Sequence, residues 1–432
     1  MPVFLFSCGS NAQGQLANST IEDSHSFEPC IFSEKVTIRH IIQLACGGNH
    51  TLLLAEVVDA IDSPESEARV QLYGCGDNTV GQLGIEESSS SIFQPIDIQF
   101  DQNDLENYRP RLICASWQTT YIVLSCPGKP DRLITMGSDD FGDLGIGGHQ
   151  TGPKVGESRV PFFPVRLNHL VVNDSQLDDR EYLVVKAIAA GQHHVIVQLH
   201  ARFADESYHH LTIGWGTCRH GQLGPVEEVL VKGRKKTPTF LNRPRIIFSD
   251  QDFHSIACGN QHSVLRNDSG AVVGLGSNKR NQLDGLDGLD TVEVGSTWNG
   301  TYVVDRLHRK IHATGSHTKG QLGRSYSTES SSTTPRFGPV EFAFDVPSNS
   351  NSRRLTSLAC GSEHVLSSWN VNDCSEVWGW GWNEHGNLGL GSTEDVYLPV
   401  KIWPPEQLVE YSQREVVGVW AGCGTSWIVV EK

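Results

Sequence analysis

The 432-residue chain lacks most of the features that mark a membrane protein, a disulfide scaffold or a hydrolase. It has no apolar run approaching the roughly 20 residues that cross a bilayer. Positive charge is scarce: 34 Lys and Arg face 50 Asp and Glu, and the net charge of −16 argues against general binding to DNA, RNA or anionic membrane. The 11 cysteines include no C-x-x-C pair. An odd count without such spacing reads as free thiols in a reducing compartment, cytosol or nucleus. The start, MPVFLFSCGSN, has no basic segment ahead of its apolar residues, which argues against a signal peptide. The pairs His193-His194 and His209-His210 have no cysteine or carboxylate companion at ligand spacing, so no metal is expected. There is also no nucleophile motif or carboxylate pair. The expectation is a non-enzymatic protein without catalytic residues or cofactor.

What the chain does have is repetition. One phrase occurs seven times, beginning SCGSNAQGQL at Ser7 and GCGDNTVGQL at Gly74, and ending GWGWNEHGNL at Gly379. Its first glycine is Gly9, Gly76, Gly137, Gly216, Gly276, Gly315 or Gly381. Five residues on stands Gly14, Gly81, Gly142, Gly221, Asn281, Gly320 or Gly386, then Leu16, Leu83, Leu144, Leu223, Leu283, Leu322 or Leu388. Asn is the one residue that replaces a glycine there, which predicts a left-handed backbone at that position. The leucine reads as a buried anchor.

A second phrase alternates with the first: LACGGNHTLLL from Leu44, CASWQTTYIVL from Cys114, AAGQHHVIVQL from Ala189, IACGNQHSVL from Ile256, GSTWNGTYVV from Gly295, LACGSEHVLSS from Leu358 and WAGCGTSWIVV from Trp420. Each is a tight turn followed by a β-branched run of strand length. The position after the turn reads as His50, Thr120, His194, His262, Thr301, His364 and Ser426, a set suited to bonding the backbone of its own turn. Cys46, Cys258 and Cys360 share a repeat position with Ala190 and Gly422, so that position is small and buried.

Strand, turn and strand about every 60 residues, with no helical period between them, predicts an all-β fold. The architecture expected is a seven-bladed β-propeller forming one domain over residues 1–432. Val3 to Phe6 should pair with Trp427 to Val430, because each end otherwise leaves an open edge. Loop insertions are expected near 85–110, 148–182, 225–252 and 324–354. The basic run Lys232, Arg234, Lys235 and Lys236 falls in one of them and reads as solvated loop. The stretch LDGLDGLD from Leu283 reads as a solvated turn in a minimal fifth blade.

The phrases resemble the repeats of the regulator-of-chromosome-condensation superfamily, built on G-x-N-x-x-G-Q-L-G and A-C-G-x-x-H-T turns. A narrower resemblance is to the fungal alpha-tubulin suppressor group, also known from killer-toxin insensitivity. It rests on ACGGNHTLLL, GCGDN, WQTTYIV in place of a histidine turn, GWGWNEHGN and the ending GCGTSWIVV. That resemblance implies a heterodimer with the small zinc-binding electron carrier of diphthamide synthesis. Through this partner it implies support for diphthamide formation and for Elongator-dependent tRNA wobble-uridine modification. It also implies a genetic link to microtubules, while the thiols and the net charge give the expectation of cytoplasmic and nuclear residence without direct contact with nucleic acid or membrane.

The founding activity of the superfamily, guanine nucleotide exchange on a Ran-type GTPase, is the alternative. It implies acidic side chains in the second-phrase turns and a basic N-terminal tail. Here the residues before the His-type position read as Asn49, Thr119, His193, Gln261, Gly300, Glu363 and Thr425, with one acid among them, and the first strand begins at Val3.

Because the repeat fixes the fold, departures from it are where a partner surface can be written. Trp117 and Trp298 stand at the equivalent of Gly47, and Trp382 stands where other copies carry Ser, Asp or Thr. These three, with Glu384 and His385 in the turn of Trp382, are the candidate contacts; Trp427 is a further tryptophan beside a turn.

Overall fold

The computed structural model describes residues 3–59, 68–98, 105, 107–148, 162–178, 182–231, 234–325, 337–344, 353–372, 374–411 and 414–431. Their strands form seven antiparallel blade sheets and two small hairpins; the blades are numbered here by the copy of the first phrase each contains. Blade 2 is Val36–Cys46, His50–Asp59, Arg69–Asp77 and Ser89–Pro95. Blades 3, 4, 6 and 7 repeat that order up to Phe163–Pro164, Phe240–Ser249, Gly338–Pro339 and Val396–Trp403. Blade 5 has three strands, Phe253–Cys258, His262–Asn267 and Val272–Gly276.

Blade 1 closes the ring. It orders Ser24–Pro29, Val3–Gly9, Thr425–Glu431 and Val416–Ala421, two strands from each end of the chain. Phe4 pairs Val430, Phe6 pairs Ile428 and Ser7 pairs Trp427. The expected pairing is therefore present, and it leaves no terminal strand as an open inner edge.

Local chemistry explains the repeat. The first glycine of each phrase takes φ between 89° and 121°, and the second position between 64° and 82°, Asn281 included. Asn11 Oδ1 accepts the Leu16 N–H at 2.9 Å, and Asn78, Asn278 and Asn383 do the same for Leu83, Leu283 and Leu388. The turn is thus tied across five residues by one side chain. Six of the anchor leucines are at most 1% exposed. Leu283 is only half-buried, in the blade without a fourth strand. Each buried leucine contributes roughly 1.5–3 kcal/mol.

The four expected insertions turn out to contain blade. Residues 85–110, 148–182, 225–252 and 324–354 carry the fourth strands of blades 2, 3, 4 and 6. These outer strands look like loops because an edge strand needs few apolar residues and carries no turn phrase. The basic run is likewise a small hairpin: Arg234–Lys236 pairs with Val229–Val231, while Lys232 lies outside the described residues. From 324–354, Phe342 and Phe344 pack on Trp369 and Trp378, and Arg353 lies 3.7 Å over the Phe344 ring. The remainder of that stretch, 326–336 and 345–352, is outside the described residues.

Candidate functional site: the turn face of the ring

Both phrases place their turns at the same end of each blade, because the second-phrase strand starts opposite the first glycine. His50 pairs Gly76, His194 pairs Gly216, His262 pairs Gly276 and His364 pairs Gly381. In the remaining blades Thr119 pairs Gly137, Gly300 pairs Gly315 and Thr425 pairs Gly9. The residues equivalent to the histidine are therefore Thr119, Gly300 and Thr425, one earlier than Thr120, Thr301 and Ser426. By the same register Trp117 and Trp298 match Gly48, not Gly47, and the small position beside the cysteines is Ala421, not Gly422.

The histidines do not bond their own turns; they join blades. His50 Nε2 lies 3.1 Å from Thr120 Oγ1 in the next blade, and that hydroxyl donates to Gln82 O at 2.6 Å. Because the Thr120 proton is already committed, His50 must carry its proton on Nε2. His194 with Ser263 and Gln222 O, and His364 with Ser426 and Asn387 O, repeat the arrangement. His262 reaches both Thr301 and Ser296 hydroxyls. Burial pushes His50, His262 and His364 down to about 4 and His194 to about 3, so all four are neutral at physiological pH. Each Nδ1 is buried without a hydrogen-bond partner. These are structural joints.

The glycine before each histidine is required by the ring. A Cβ on Gly47 would stand 2.1 Å from His50 Cε1, and on Gly259 2.2 Å from His262 Cε1. Where Ser116 and Thr297 supply a Cβ at that place, the histidine is replaced by Thr119 and Gly300.

Around the channel mouth the turns bond one another. Gly48 N–H donates to Trp117 O at 2.8 Å, Trp117 N–H to Gln192 O at 3.0 Å, and Trp298 N–H to Ser362 O at 2.7 Å. Trp117 of blade 3 and Trp298 of blade 6 meet across the mouth, ring centroids 6.0 Å apart and tilted by 48°. Beneath lies a channel cavity of about 280 Å³ lined by small residues, Ala45, Cys46, Ala115, Ala190, Cys258, Ser296 and Cys360 among them. Burial pushes the Cys46 and Cys258 thiols up to about 12, so they are not nucleophiles at neutral pH. All 11 cysteines are free thiols.

Trp382 sits on the same face at the seam of blades 7 and 1. Its N–H donates to Glu363 O at 3.0 Å, and its Nε1 to Glu384 Oε2 at 3.1 Å. The His385 ring stands edge-on to it at 5.2 Å and bonds Asp23 of blade 1 through Nδ1 at 2.6 Å. Glu363 links the two tryptophan regions: it accepts from Asn299, next to Trp298, at 2.5 Å and from Gln321 at 2.9 Å. Burial raises its carboxyl above the usual range. With the corrected register, the residues before the histidine position are Asn49, Gln118, His193, Gln261, Asn299, Glu363 and Gly424, and Glu363 is still the single acid. Trp427, by contrast, is fully buried and bonds Thr425 Oγ1; it belongs to the core. Carboxylates do stand beside the paired histidines in space, Asp143 at 3.3 Å from His193 and Asp250 at 2.9 Å from His209.

The regulator of chromosome condensation (RCC1) repeat family matches residues 4–54 and 375–429, the two stretches that meet at blades 1, 2 and 7. The chain is a seven-bladed propeller of the RCC1 type. An RCC1 repeat-containing protein of Schizosaccharomyces pombe is 27% identical, covering 99% of each chain. The secretion-regulating guanine nucleotide exchange factor of Mus musculus is 28% identical over 99% of this chain and 83% of its own. Among solved structures, Prp20p from Saccharomyces cerevisiae superposes with a TM-score of 0.69 at 18% identity, covering 100% of this chain and 92% of that one. Human WBSCR16 gives 0.69 at 16% identity, with both chains fully covered. At such identity these two likenesses speak for the fold alone.

Proposed function

We propose that this RCC1-type propeller is a partner-binding scaffold that uses its turn face, with Trp117, Trp298 and Trp382 as anchors. One observation carries the reading. Three half-exposed tryptophans stand on one face at positions where other repeats hold Gly, Gln, Asn, Ser, Asp, Thr or Cys, whereas Trp215, Trp369, Trp380, Trp403 and Trp427 are buried, and the partly buried Trp378 and Trp420 lie in blade strands and pack on core clusters. Tryptophan concentrates binding energy at interfaces, and Glu384 and His385 supply a polar rim. The channel below is narrow and its thiols are protonated, which suits a binding surface better than a reaction site.

The resemblance of the turn sequences to the fungal tubulin-suppressor group supports a specific partner, the small zinc-binding electron carrier of diphthamide synthesis. On this reading the complex regulates electron delivery to diphthamide formation and, indirectly, to Elongator-dependent tRNA modification. Calorimetry with the carrier tests it. One-to-one binding is expected, and truncating a buried interface tryptophan to alanine should cost about 2 kcal/mol, roughly thirtyfold in affinity. Wild-type affinity in W117A, W298A and W382A would move the interface off this face. No binding by the parent protein would remove the carrier as partner.

A second reading is favoured by the name of the Mus musculus relative: nucleotide exchange on a small GTPase. The single acid of the turn ring, Glu363, is partly buried and already bonded to Asn299 and Gln321, which disfavours it. Purified protein should leave release of labelled GDP from a Ran-type GTPase at its intrinsic rate; concentration-dependent acceleration would establish exchange instead.

A further inference from the structure

We propose that Asp252, His254 and Asp268 form a site for a divalent transition-metal ion of the zinc type, on the outer corner where blade 4 passes into blade 5. Phe253 is buried against Phe248, and strand alternation sends its neighbours Asp252 and His254 to the other side. The register shifts between Phe253 and Ser255, so His254 has no residue opposite it and its ring is re-aimed. Similar shifts recur at this place in the inner strand pair of the other blades, but the bulged residue there is Ile42, Arg111, Lys186, Val292, Thr356 or Val417. Only in blade 5 is it an imidazole. Phe253 pairs Asn267, which returns Asp268 to the same corner. The candidate ligand atoms of Asp252, His254 and Asp268 all lie within 4.8 Å of one another.

Two further features point to a built site. Gln198, fully buried, directs its Nε2 toward Asp252 Oδ1 at 3.4 Å and Gln251 O at 3.3 Å, while its own oxygen is held by Thr212 Oγ1 at 2.7 Å. A carboxylate oriented by an interior side chain is the support that metal ligands receive. His210 Nδ1 is buried without a hydrogen-bond partner and stands 3.7 Å from Asp252 Oδ2, its ring stacked on His200 at 4.3 Å. It flanks the cluster on the Asp252 side.

One imidazole nitrogen with two carboxylates neutralises a dication and favours zinc-type ions over the all-oxygen preference of calcium and magnesium. Among the described residues blade 5 lacks a fourth strand, so an ion here would tie its exposed hairpin corner to the linker that follows Phe240–Ser249.

The test is calorimetric titration of Zn²⁺ into the full chain in a non-chelating buffer at pH 7, with melting measured alongside. One site is expected whose affinity falls roughly tenfold or more in H254A and in D268N, with Ca²⁺ and Mg²⁺ at least as much weaker in the parent. These side chains are exposed enough that both variants should melt like the parent without zinc. Binding that survives unchanged in H254A and D268N would overturn the site. Equal affinity for Ca²⁺ would overturn the ion class. Should H254A prove unstable, D268N decides alone.

Discussion

Trp117 and Trp298 face each other across the channel mouth, 6.0 Å between ring centroids, although they belong to blades on opposite sides of the ring. Two coupled indoles should give a circular-dichroism couplet in the far ultraviolet. W117F or W298F should each abolish it, and a double-mutant cycle on stability should return about 0.5–1.5 kcal/mol for the pair. A couplet retained in both single variants would mean that the rings do not meet in solution.

The four seam histidines predict acid sensitivity. In the unfolded chain they titrate near 6.5, whereas in the ring they titrate at about 4, or about 3 for His194. The unfolded state therefore binds more protons between those values. The stabilisation they provide is complete above about 6.5 and is lost as pH falls toward 4. Each pKa unit corresponds to about 1.4 kcal/mol, so the melting temperature should drop steeply over this window. The slope should be shallower in H50Q than in the parent; an identical slope would assign the acid lability to other groups.

Gly47 and His50 should be energetically coupled. G47A places a Cβ against the His50 ring and 2.6 Å from Ser116 O, and overpacking of this kind costs about 1–3 kcal/mol. The pair G47A/H50T imitates Ser116 and Thr119 of blade 3. It should be less destabilised than the sum of its single variants, by about 1 kcal/mol in chemical denaturation. Simple additivity would mean that the carbonyl contact, not the imidazole, demands glycine.

Deleting residues 427–432 should open the ring. That removes the central strand of blade 1 together with Trp427, Ile428, Val429 and Val430, each at most 1% exposed. W427A alone should cost about 3–5 kcal/mol. A truncated chain that melts with the parent would contradict the closure.

The sequence alone determined the ring and its closure, because the repeating turns need positive-φ residues, glycine everywhere but Asn281, and a leucine anchor at a fixed spacing. It also marked Trp117, Trp298 and Trp382 as departures from the repeat. What it could not set was register: in copies without histidine the turn can be aligned one residue late, and only the pairing of Thr119 with Gly137 and of Thr425 with Gly9 settles it. Outer strands such as Ser89–Pro95 were illegible because they carry no turn phrase and few apolar residues, Ile92 and Phe93 in this case, so that backbone pairing defines them. Tertiary structure alone decided that the histidines bond the neighbouring blade, since His50 and Thr120 are separated by a whole repeat in the chain. It alone gathered Asp252, His254 and Asp268 at one corner, because strand pairing, not spacing in the sequence, decides which side chains share a point in space.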